Sequence, residues 1–135
     1  EEGVGIYRSV ELLEKTRDKI SELKERYRNI DLKDGSLVFN TEWLYAIELG
    51  FLLDVGEAMA VSADARKESR GSHQRLDEFN QRDDKNYLTH TLAFFQQQKT
   101  PKISYQDVII TRSKPSERVY GAASEVAANQ GNKAV

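Results

Sequence analysis

The sequence predicts a mainly α-helical domain: an antiparallel helical bundle built on one long buried helix, followed by a β-hairpin and a flexible tail. Three observations predict it. The run from Thr41 to Gly71 is apolar on nearly every helical face. Trp43, Leu44, Ile47, Phe51, Val55 and Met59 follow a spacing of three and four, and Leu49, Leu52, Leu53, Val61 and several alanines fill the remaining faces. A helix with so little polar surface is built to be enclosed by other elements. Upstream, Leu13, Thr16, Ile20, Leu23 and Tyr27 form a single apolar stripe, as on a surface helix. Downstream, Leu88 to Gln97 and Ile103 to Thr111 carry the β-branched and aromatic content of two strands, with Lys99-Thr100-Pro101 breaking between them. The domain is expected over 1–120, helical over about 1–71 with the hairpin at 88–111. The small and polar stretch 121–135 is expected to be a disordered tail.

Taken in order, residues 1–8 lead into the first helix. Gly3-Val4-Gly5 is not a dinucleotide loop: Arg8 stands at the third glycine position and no strand precedes it. With no other glycine cluster, the chain offers no Rossmann-type site for a flavin or nicotinamide. The two glycines are read as a helix end and a turn. Ser9 offers an N-cap and Glu11 places an acid in the first turn of a helix ending near Arg28-Asn29. The connector, residues 29–39, turns at Asp34-Gly35, and its apolar residues Ile30, Leu32, Leu37, Val38 and Phe39 are expected to pin it to the core. Asn40 or Thr41 caps the long helix, which should pack antiparallel to the first. Two helices cannot surround a third face. The missing neighbour is expected from the hairpin, from another chain, or from residues preceding Glu1, whose identity suggests a fragment of a longer protein. After Gly71 the composition turns polar, with one short helical turn expected near Asp83 to Tyr87.

Composition narrows the chemistry. The formal charge of -2 gives no global field for nucleic acid or an anionic membrane. Without cysteine there are no disulfides, thiolate ligands or thiol nucleophiles. Glu48, Asp54 and Glu57 interrupt the long helix and argue against a membrane span. Asp54 and Glu57 could suit acid–base work, but the simpler expectation is pairing with Arg or Lys from a neighbouring element. His73 and His90, the two histidines, lack ligand spacing, so no metal site is expected. Phe94-Phe95 is read as packing rather than base stacking, since no basic groove surrounds it. The most informative run is Arg66-Lys67-Glu68-Ser69-Arg70-Gly71. Arg66, Glu68, Arg70, His73 and Arg75 are the candidate structural or interface cluster. Arg66 and Arg70 are expected on one helical face, and the guanidinium groups of this cluster are expected to bind backbone carbonyls and acids such as Asp77, Asp83 or Asp84 and so fix the loop that follows, in preference to forming an anion site.

Several motifs together carry a family resemblance. They are Val4-Gly5-Ile6-Tyr7-Arg8, Phe39-Asn40-Thr41, the run from Ala65 through Arg66-Lys67-Glu68-Ser69-Arg70-Gly71 to His73, then Arg82-Asp83-Asp84 and His90-Thr91-Leu92. In this order they resemble the C-terminal domain of the fumarate reductase and succinate dehydrogenase flavoprotein subunits, over about Glu1 to Tyr120, and the spelling is nearer the bacterial fumarate reductases. The resemblance implies a parent oxidoreductase that interconverts fumarate and succinate in anaerobic electron transport with FAD. It implies as partners the upstream flavin domain of the same chain, an iron–sulfur subunit and membrane anchor subunits, and a place at the cytoplasmic face of the inner membrane. It carries no catalytic, cofactor-binding or metal-binding residue onto this sequence, so no cofactor is expected in the fragment and the fragment is expected to scaffold rather than catalyse. No nucleic acid partner is expected; self-association of the isolated fragment is. The alternatives are the same domain of succinate dehydrogenase or L-aspartate oxidase, or a stand-alone helical module whose basic cluster binds an acidic partner.

Overall fold

The computed structural model describes residues 3–97, 99–113 and 115–116. The expected tail at 121–135 and the segment Arg118-Val119-Tyr120 lie outside the described residues. The first helix, α1, spans Val10–Arg28. Ser9 caps it as expected: its backbone is extended and its hydroxyl accepts from the Leu12 N–H at 3.3 Å. Leu13, on the predicted stripe, is 0% exposed and anchors α1 in the core. The long helix, α2, spans Thr41–Ala65, with the Asn40 side chain accepting from the Trp43 N–H at 2.8 Å.

The two helices run antiparallel, and cross-links of opposite charge show it. Arg17 meets Asp64 at 2.9 Å, while Lys24 meets Asp54 at 2.7 Å and Glu57 at 2.5 Å. The mid-helix acids Asp54 and Glu57 are thus neutralised from α1, as expected, whereas Glu48 is exposed. At the far end Gly50 makes room for the Tyr27 side chain of α1. A Cβ there would lie 2.6 Å from the Tyr27 hydroxyl.

Burial of α2 is one-sided. Ala46, Leu53, Ala60, Val61 and Ala63 are buried. Phe51, Leu52, Val55 and Met59 remain half or more exposed. The helix was expected to be enclosed, but within this chain α1 covers one flank and the hairpin covers part of the C-terminal half. The connector also departs from expectation. Leu37 is 100% and Phe39 95% exposed, instead of pinned to the core. Polar geometry wins there. Asn40 Nδ2 donates to the Asp34 and Ser36 carbonyls, the Ser36 N–H donates to the Asp34 carboxylate, and Phe39 sits in the left-handed region at φ 55°. These local bonds set the turn and direct its apolar side chains outward.

Among the described residues two small sheets accompany the helices. Tyr7–Arg8 (β1) pairs in parallel with Gln74–Arg75 (β2), in register Tyr7↔Gln74 and Arg8↔Arg75, a pairing the sequence did not announce. A short helix, α3, covers Asp84–Tyr87, within the predicted turn. The hairpin follows: Thr89–Gln96 (β3) pairs antiparallel with Lys99–Asp107 (β4) from Thr89↔Asp107 to Gln96↔Lys99. Two boundaries differ from the sequence reading. Pro101 lies inside β4 rather than in the turn, next to a register irregularity between Phe94 and Gln96 on the facing strand, where a missing N–H is tolerated. The return strand stops at Asp107 rather than Thr111, because its partner begins at Thr89 where α3 has just ended. Phe94 and Phe95, read as packing residues, are 52% and 70% exposed.

Candidate functional site

The predicted helix over Arg66 to Gly71 does not form. α2 ends at Ala65, and Arg66 takes an extended conformation (φ −89°, ψ 97°). The last carbonyls of a helix have no intrahelical partner and need one. Here three side chains from later elements supply it. Arg75 Nη1 donates to the Ala63 carbonyl at 3.2 Å, the Tyr105 hydroxyl donates to the Ala65 carbonyl at 3.1 Å, and His73 Nε2 donates to the Arg66 carbonyl at 3.0 Å. So Arg66 and Arg70 share no helical face. They meet over a carboxylate instead.

That carboxylate is Glu68, which is 0% exposed. Its Oε1 accepts from Arg66 Nε and Arg70 Nε, both at 2.8 Å, and its Oε2 accepts from Arg70 Nη2 and the Asp83 N–H, both at 2.9 Å. Burial alone would raise the Glu68 pKa, but the bonds from Arg70, the Asp83 amide and Arg66 together hold it below the usual glutamate value. Arg66 spends the rest of its fork on the Thr89 carbonyl, the Thr91 hydroxyl and the Tyr87 carbonyl, so it ties the end of α2 to α3 and β3. Arg70 also reaches Asp84 at 2.6 Å, an acid shared with Arg82 and held at about 2 by the hydrogen bonds from those two arginines.

A second knot lies beside the first. Arg75, 2% exposed, holds Asp77 with Nε at 3.1 Å and Nη2 at 2.7 Å and stacks on Phe79 at 5.1 Å. Asp77 also accepts from the Val10 and Phe79 N–H groups, which joins the start of α1 to the loop. Ser69 links both knots: its hydroxyl donates to the Phe79 carbonyl at 3.0 Å and accepts from the Arg75 N–H at 2.8 Å. Asp77 and Asp84 thus receive guanidinium groups as expected. Asp83 does not: its carboxylate accepts from the Lys85 and Asn86 amides and caps α3.

All five predicted cluster residues, Arg66, Glu68, Arg70, His73 and Arg75, are brought together. Sequence reasoning missed Arg8, Ser69, Tyr87 and Tyr105. No local signal marks Arg8, which arrives through the β1–β2 pairing. Arg8 Nη1 lies 2.5 Å from His73 Nδ1. A guanidinium can only donate and a carbonyl can only accept, so His73 is the neutral tautomer with its proton on Nε2. Burial pushes its pKa below the usual histidine value; the bond to the Arg66 carbonyl opposes this, and the charges of Arg8, Arg75 and Arg66 add to it. A pKa lowered on folding contributes stability that is present above the unfolded value and is lost as pH falls through the folded one. Urea midpoints measured at pH 7.5 and pH 5.5 should therefore fall more for the parent chain than for His73→Gln, which keeps one acceptor and one donor without titrating. Equal falls would contradict the assignment.

Chemically, the arrangement spends each carboxylate on a guanidinium or an amide, and both nitrogens of His73 are engaged. Among the described residues no group of three His, Asp or Glu is placed to hold a metal ion. The geometry is that of a charged weld between the end of α2, the loop, α3 and the hairpin.

Comparison with known proteins adds the following. The family model described as "Fumarate reductase flavoprotein C-term" matches residues 1–120. The chain is 61% identical over 122 residues to the fumarate reductase flavoprotein subunit of Proteus vulgaris, covering 90% of this chain and 20% of that protein. It is 57% identical over 125 residues to the fumarate reductase flavoprotein subunit of Haemophilus influenzae, covering 93% of this chain and 21% of that protein. A solved structure of an E. coli quinol fumarate reductase FrdA variant superposes with a TM-score of 0.85 at 57% identity, over 89% of this chain and 21% of that one. The chain thus spans about a fifth of the length of the relatives it matches.

Proposed function

Because the chain belongs to the family of fumarate reductase flavoprotein C-terminal regions, we propose that it serves as the structural C-terminal domain of such a subunit and performs no chemistry by itself. The parent enzyme would interconvert fumarate and succinate in anaerobic electron transport, with FAD held by an upstream flavin domain. An iron–sulfur subunit and membrane anchor subunits are the further partners in this reading, and the parent sits at the cytoplasmic face of the inner membrane. The observation that carries the proposal is 61% identity over 122 residues to a fumarate reductase flavoprotein subunit. The charged weld supports the scaffolding role, because its acids and its histidine are occupied in holding elements together. Among the described residues no helix is long and apolar enough to cross a membrane.

Titration of the 135-residue chain with FAD tests the role. The flavin absorption and fluorescence should remain those of the free cofactor, and the mixture should not reduce fumarate with a dye donor. A stoichiometric flavin complex that reduces fumarate would overturn the proposal.

A further inference from the structure

Beside the weld, the open flank of α2 and the first strand form a groove of about 420 Å³, lined by Val4, Arg8, Val55, Met59, Arg66 and His73 among others. Its walls are apolar and exposed: Val55 is 57% and Met59 51% in solvent. Its end is cationic. The two neighbouring arginines there each already hold a carboxylate. Arg66 directs its fork at Glu68, Thr91 and two carbonyls, and Arg75 holds Asp77 and the Ala63 carbonyl. Arg8 differs. Its Nε donates to the Gly5 carbonyl at 2.7 Å, Nη2 to the Val4 carbonyl at 3.3 Å, and Nη1 to His73. A guanidinium has five N–H donors, so these bonds leave two of them open. No carboxylate pairs with Arg8 among the described residues. Burial, with the charge of Arg75 added, pushes its pKa down, as happens to a cation that lacks an anion.

We infer that this groove is a docking site for a polypeptide segment that presents a glutamate or aspartate side chain between apolar residues, the carboxylate pairing with Arg8. The charge is complementary: a half-buried guanidinium with two open donors matches a two-oxygen acceptor. The shape selects a polypeptide over a small molecule. The α2 wall of the groove runs from Val55 to Ala63, about 12 Å at 1.5 Å per residue, enough for several side chains of a segment lying alongside. It is also too open to enclose most of a small ligand's surface, as small-molecule sites do. His73 serves as a positioning residue, since its Nδ1 accepts from one Nη of Arg8 and fixes that end of the fork beside the groove. The inference does not depend on the proposed parent enzyme, and it can fail while the flavin test succeeds.

The test is a titration of the 135-residue chain, followed by NMR at the Arg8 Nε–H and the Met59 methyl. Three probes are used: the peptide acetyl-Leu-Glu-Leu-Leu-amide, its Gln counterpart, and hexanoate. The Glu peptide should give saturable shifts at both positions, at least about tenfold tighter than the Gln peptide and tighter than hexanoate, as expected for a charge-assisted bond. Arg8→Gln should remove that preference; if this variant unfolds, the comparison of Glu and Gln peptides on the parent chain still decides. Equal affinity for the two peptides, tighter binding of hexanoate, or no saturation up to about 50 mM would overturn the inference. So would a gain in affinity on Glu1→Gln/Glu2→Gln, which would mean that the chain's own acids fill the site.

Discussion

Replacing Glu68 with alanine is expected to cost about 3–5 kcal/mol of stability, the usual loss when one partner of a buried ion pair is removed. Against a total of about 5–15 kcal/mol for an ordinary domain, that is a large share. The reason lies in what would be left behind. Glu68 is fully buried and receives Arg66, Arg70 and the Asp83 amide. Without it, Arg66 keeps its place between α2 and β3 but loses its countercharge, and the Asp83 N–H loses its acceptor. Glu68→Gln should cost less than alanine yet remain clearly destabilising, because an amide turns one donor toward the guanidinium groups. Urea unfolding of the three proteins at pH 7 gives the ranking. A Glu68→Ala chain within about 1 kcal/mol of the parent would show that the cluster is incidental.

Arg75→Ala should be comparably damaging, again about 3–5 kcal/mol, and for a related reason. Arg75 is 2% exposed, and its loss strands Asp77, uncovers the Ala63 carbonyl at the end of α2 and removes the cation over Phe79. Arg75→Lys should recover little. One ammonium cannot span a bidentate carboxylate, a carbonyl and an aromatic face at once. The damage should also travel, because Asp77 holds the Val10 N–H at 2.9 Å. Amide exchange at Val10 should accelerate in both variants beyond the change at mid-α2 amides. A uniform change across both helices would mean that Arg75 contributes to global stability without fixing the start of α1.

Much of the architecture was legible in the sequence because it rests on local signals. The Ser9 cap and the Leu13 to Tyr27 stripe place α1 within a residue of its observed ends. The apolar density around Leu53 and Val61 identifies α2 as the central rod. What was not legible depends on distant partners. Arg66 and Arg70 look like two residues on one helical face, yet the helix stops at Ala65 because its terminal carbonyls are taken by Arg75, Tyr105 and His73, which arrive from farther along the chain. Arg8 stands in the Val4–Arg8 motif with no partner named for it until β1 pairs with β2 and sets it against His73. The connector misled in the opposite sense. Leu37 and Phe39 look like core residues by type, but the hydrogen bonds of Asp34, Ser36 and Asn40 fix the turn with those side chains outward.

The basic run is held here to point inward, as a weld, rather than outward toward an acidic partner. Arg70→Ala separates the two most directly, measured both by thermal unfolding and by salt-dependent association with a poly-glutamate probe. The weld predicts a midpoint lower by several degrees, of the order expected for losing charge-assisted bonds to Glu68 and Asp84, with association unchanged from the parent. An unchanged midpoint, together with the loss of a salt-sensitive complex that the parent chain forms, would contradict it.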